Sequence, residues 1–122
     1  MKKFFLAILM MLVTSTGVHA QLSLETVQEQ IAQKQALLID VRTVEEYAQG
    51  NLEHSVLLPY EEIGTGISTL TEDKDQALYL YCRSGRRSGV AKDTLERLGF
   101  KNVHNIGGYE ELKAMGLPDK KL

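Results

Sequence analysis

Cys82 is the single cysteine of the 122-residue chain, and Arg83, Ser84, Gly85, Arg86, Arg87, Ser88 and Gly89 follow it without a break. A thiol reacts as its thiolate, and nearby cations or a helix N-terminus draw its pKa below the ordinary value of about 8.5. Gly85 and Gly89 permit backbone conformations that turn N–H groups inward, forming a nest for an anion. Arg83, Arg86 and Arg87 add full positive charge. The stretch thus predicts an activated, exposed nucleophile with room for an anionic ligand beside it. A structural cysteine with solvated arginines is the plainer alternative, and it leaves the glycine and arginine placement without a cause. Metal binding is the weaker chemistry, because His54 and His104 show no ligand spacing to Cys82 and His19 falls in a leader-like segment.

The elements around this stretch predict how it is held. "ALLID" (Ala36 to Asp40), "SVLLP" (Ser55 to Pro59) and "ALYLY" (Ala77 to Tyr81) are continuous apolar runs of strand length, and "KNVHNI" supplies a fourth. Ser23 or Thr26 can cap a helix with Leu24, Val27 and Ile31 on one face. Thr43 and Glu46 are spaced as a capping box for a short helix ending at Gly50. A helix beginning near Arg87 or Ser88 would bury Val90, Ala91, Thr94, Leu95 and Leu98 and stop at Gly99. Gly107 and Gly108 read as a tight turn before a last helix, "YEELKAM". Strand–helix alternation of this kind predicts an α/β fold, a mostly parallel sheet of four to five strands with helices on both faces. Ligands of such sheets sit beyond the carboxyl ends of the strands. Cys82 is expected there, as the first residue past its strand.

The first twenty residues have a basic start (Lys2, Lys3), a short apolar run and small residues at the end, the pattern of a cleaved signal peptide. Residues 21–122 are then expected to form one domain, exported and without a stable membrane anchor. Removing Lys2 and Lys3 takes the formal charge from −2 to −4. That balance argues against a nucleic-acid partner, which needs an excess of Lys and Arg. A lone cysteine also rules out an internal disulfide, so the core alone must hold the fold.

Four segments together resemble the rhodanese family, in particular its small single-domain exported members. "LLIDVRTVEEY" is similar to the family's first motif, "GNLEHSVLLP" to its second, "YCRSGRRS" to the active-site loop and "LGFKNVHNIGGYEEL" to the closing motif. They occur in family order. Asn51, Leu57 and Tyr109 stand where histidine, asparagine and tryptophan are common. The resemblance implies a three-layer rhodanese-like fold and a sulfurtransferase. Cys82 would accept sulfane sulfur as a persulfide, cradled by the loop from Arg83 through Ser84, Gly85, Arg86 and Arg87 to Ser88. The donor would be thiosulfate or another small anionic sulfur compound, and the acceptor cyanide or a thiol. A protein that takes the persulfide is a further candidate partner. Asp40 and Arg42 would be structural, with Arg42 expected to pair with Glu45 or Glu46. The covalent persulfide is the carrier, so neither a metal nor an organic cofactor is implied. The resemblance and the leader together imply the bacterial periplasm.

Alternatives remain at this point: a dedicated persulfide carrier, or a binding module without turnover. A phosphatase or arsenate reductase is the poorer enzyme reading. Related phosphatases close a Cys-x5-Arg loop around a phosphoryl group, and Arg87 here closes a loop one residue shorter.

Overall fold

The computed structural model describes residues 23–120; the expected signal peptide lies outside the described residues. Helix α1 (Leu24–Ala32) is capped by the Ser23 hydroxyl, which accepts the Thr26 N–H. After strand β1 (Ala36–Asp40), helix α2 (Val44–Gln49) starts on the full Thr43–Glu46 capping box. Each such cap contributes about 1 kcal/mol. Strands β2 (Asn51–Leu52) and β3 (Ser55–Leu57) follow. The polar connection that comes next is not plain loop: helix α3 (Ile63–Gly66), between two 3-10 turns, places Ile63 and Ile67 in the core. Then come β4 (Ala77–Cys82), α4 (Arg86–Arg97), β5 (Val103–Gly108), α5 (Tyr109–Ala114) and β6 (Asp119–Lys120).

The main sheet has order β3-β1-β4-β5, all parallel, as expected of crossover connections. Beside it, β2 and β6 form a small antiparallel pair that no sequence pattern announced. Side chains alternate across the central strand β4. Leu78, Leu80 and Cys82 point into a cluster with Ala91 and Leu95 of α4 and with Ile63 and Ile67. Tyr79 and Tyr81 join the opposite cluster, with Val27 and Ile31 of α1 and Leu112 of α5. This two-residue period makes the three layers.

Three local expectations are corrected. Cys82 is the last residue of β4, not the first beyond it, because it still pairs with Gly108 of β5. Gly107 and Gly108 accordingly belong to β5 rather than to a tight turn. On α4 the buried stripe is Ser88, Ala91 and Leu95, while Val90 and Leu98 are exposed. A helix packed on one sheet face buries a narrower stripe than its apolar content suggests.

Candidate active site

Helix α4 begins at Arg86, slightly earlier than expected, because Gly85 takes the left-handed conformation at φ 98° as its N-cap. A side chain at that φ would be strained. The turn brings the Gly85 N–H onto the Cys82 Sγ at 3.0 Å, and the Ser88 Oγ lies 3.5 Å from the same sulfur. From the other side, Gly108 lies so close to the Arg83 carbonyl oxygen that no Cβ fits between them. The strand that flanks β4 therefore sets the position of the loop's first peptide.

Cys82 is fully buried, contrary to the exposed thiol anticipated. Burial opposes the thiolate. The Ser88 hydroxyl and the backbone N–H groups of Ser88, Ser84 and Gly85 outweigh it, and the thiol is held below its ordinary pKa. The activating groups are thus the Ser88 hydroxyl and the inward-turned backbone N–H groups, the second of which the sequence had suggested beside the arginines. Arg83 and Arg86 are exposed at the loop's mouth. Arg87 is committed elsewhere: its guanidinium makes two bonds, 2.8 and 3.0 Å, to the Glu46 carboxylate of α2. Glu46 also accepts the Thr43 N–H at 2.9 Å, so one side chain both caps α2 and anchors the start of α4. The Arg87 guanidinium is the main cause that lowers the Glu46 carboxyl from 4.5 to about 2, against some burial.

That pairing corrects the partner expected for Arg42. Arg42 instead forks onto Asp40, with contacts of 2.7 to 3.0 Å, and donates to the Gly50 carbonyl at 2.7 Å. Its guanidinium lies 4.4 Å from the Tyr109 ring centroid and 5.7 Å from that of Tyr81. Asp40 is fully buried and Arg42 is 5% exposed, so the pair is enclosed in the fold at the end of β1. Tyr109, in the place of a tryptophan, packs in parallel against Tyr81. Asn51 donates to the Tyr47 carbonyl at 3.0 Å.

Asn105 of β5 escaped the sequence reading. Its Nδ2 donates to the Gly85 carbonyl at 2.8 Å, and its Oδ1 accepts both the Gly107 N–H at 3.1 Å and the Ser88 hydroxyl at 2.7 Å. Nothing in its spacing links it to the loop; only the β4–β5 pairing does. Beside the loop, Arg83, Arg42, Tyr109 and Lys113 line an open cleft of about 700 Å³. Among the described residues no group of acidic, histidine or cysteine side chains could hold a metal, and no helix is long and apolar enough to cross a membrane.

A buried thiolate under inward-turned N–H groups can attack an electrophilic sulfur and then stabilise the anion left on it. A profile described as Rhodanese-like domain matches residues 23–115. Thiosulfate sulfurtransferase PspE of Escherichia coli is 37% identical over 74 residues, which is 61% of this chain and 71% of that protein. A solved structure, a rhodanese with anions from E. coli, is 36% identical with a TM-score of 0.64, covering 71% of this chain and 99% of that one. A tRNA uridine(34) hydroxylase of Hamiltonella defensa is 34% identical over 86 residues, covering 67% of this chain, which spans only 24% of that protein's length. Related domains thus serve proteins of different activity. With fold and profile in agreement, the chain belongs to the rhodanese-like family.

Proposed function

We propose that this protein is a thiosulfate sulfurtransferase that works through a persulfide on Cys82. The observation that carries the reading is the Cys82 Sγ at the floor of the loop, with the Gly85 N–H on it at 3.0 Å and its thiol held below the ordinary pKa. The Cys82 thiolate attacks the outer sulfur of thiosulfate. A Cys82 S–S bond forms, the donor S–S bond breaks, and sulfite leaves with the electron pair. The persulfide anion then sits where the N–H groups of Ser84, Gly85 and Ser88 favour negative charge, a role like that of an oxyanion hole. Cyanide or a thiolate takes the terminal sulfur and returns Cys82 to its thiolate. Arg83 and Arg86, exposed at the mouth, would draw in the dianionic donor, while Arg87 holds the loop through Glu46. The covalent sulfur is the carrier in this scheme, and no cofactor enters it. The signal-like leader supports action in the periplasm.

Thiocyanate formation from thiosulfate and cyanide tests the reading directly. Residues 21–122 should turn over with ping-pong kinetics, and Cys82→Ser should show none. A folded, reduced wild type without turnover would move the assignment to a dedicated persulfide carrier. Since Cys82 is buried, peroxide should inactivate the enzyme more slowly than it oxidises a free thiol of similar acidity, and thiol reductant should restore activity.

A further inference from the structure

The Ser88 hydroxyl has one proton and three acceptors within reach. Asn105 Oδ1 lies at 2.7 Å, the Gly85 carbonyl at 3.2 Å and the Cys82 Sγ at 3.5 Å. A hydroxyl donates once. The orientation of the Asn105 amide is fixed at both ends by backbone: Oδ1 faces the Gly107 N–H and Nδ2 faces the Gly85 carbonyl. Asn105 Oδ1 is therefore purely an acceptor toward Ser88, and 2.7 Å is the usual length of a good O–H···O bond. Of the two contacts the shorter favours the Ser88 proton on Asn105, which turns a Ser88 lone pair toward the sulfur. That geometry suits a Cys82 thiol. A thiolate or persulfide needs the proton turned the other way.

We propose that Asn105 is a positioning residue that holds the Ser88 proton while the sulfur is neutral and yields it when the sulfur becomes anionic. Its amide N–H meanwhile keeps the Gly85 peptide in place through both states. The charged groups on the loop and the elements packed about it are Arg83, Arg86 and Arg87 on the loop and α4, Glu46 on α2, the Asp40–Arg42 pair at the end of β1, and Glu111 of α5 beside Gly107. Removing the Asn105 amide alters none of their charges. The proposal uses the Cys82 reading only for its kinetic meaning, because its test needs neither donor nor acceptor.

The test is a pH titration of thiolate ultraviolet absorbance, to which this chain contributes a single cysteine. Asn105→Leu fills the amide's place at this exposed position and removes the acceptor. It should make Cys82 about three- to ten-fold more acidic, the equivalent of one hydrogen bond to the sulfur. In a Ser88→Ala background the same substitution should leave the midpoint where it was. An equal shift in both backgrounds, or a shift upward with Ser88 present, would overturn the proposal. The wild type offers a second readout that needs no variant: the carboxamide ¹³C signal of Asn105 should move with the Cys82 midpoint. A flat signal through that transition would count equally against it. Either readout stands whether or not the protein uses thiosulfate.

Discussion

Two arginine–carboxylate pairs flank the loop, and they are built in opposite ways. Asp40 and Arg42 are two residues apart, buried, and closed by the Gly50 carbonyl and two aromatic rings. Glu46 and Arg87 lie 41 residues apart and remain partly exposed, at 29% and 17%. The first pair sits where β1 ends and ties that end to the α2–β2 junction. The second joins α2 to the helix that carries the loop. A buried pair is costly to break, since the survivor is left charged without water. A part-exposed pair is cheap to break and matters through what it positions. Their difference separates what holds the fold from what holds the loop.

The sharpest way to break this contrast is Asp40→Asn, which strands the Arg42 guanidinium. Denaturant midpoints should fall by the equivalent of about 3–5 kcal/mol. Molecules that remain folded should still transfer sulfur. Glu46→Gln should act the other way round. The glutamine can still cap Thr43, so stability falls by only about 1 kcal/mol, while turnover drops several-fold as Arg87 and the loop loosen. Equal losses of stability in the two variants would erase the distinction.

Acid sharpens the same point. The Glu46 carboxyl is lowered in the folded state, so its pair stabilises the protein fully above about pH 4.5 and loses that effect as pH falls toward 2. The stability gap between wild type and Glu46→Gln should close across that window. A gap independent of pH would mean that the carboxylate charge contributes nothing. Least affected should be Lys92→Ala. It breaks the exposed i,i+4 bridge to Glu96 on α4 and should cost no more than about 0.5 kcal/mol.

The loop that follows Cys82 and the four main strands were legible because each is written locally. Buried parallel strands are unbroken apolar runs, and Gly85 marks the position within the Cys82 loop that goes left-handed. The capping box was legible for the same reason. What stayed hidden depends on register and crossover. Glu46 looks like a cap and becomes an anchor only when α4 arrives beside it. Asn105 reads as one polar residue in an edge strand until β5 pairs with β4. Val90 and Leu98 read as inward because an apolar count does not reveal how wide a stripe one sheet face can cover. The Arg87 pairing was equally invisible, since its partner Glu46 lies 41 residues away in sequence.

The main sheet contains parallel strands only, and this has a consequence for how the protein is made. No pair of its neighbours can zip from a hairpin; every pairing must close a crossover first. The sulfur's surroundings draw on β4, the loop, α4 and the edge strand β5, so they are complete only after the last crossover has docked. During refolding, helix signal should therefore return before the cysteine acquires its lowered pKa. The lone thiol reports when assembly is finished.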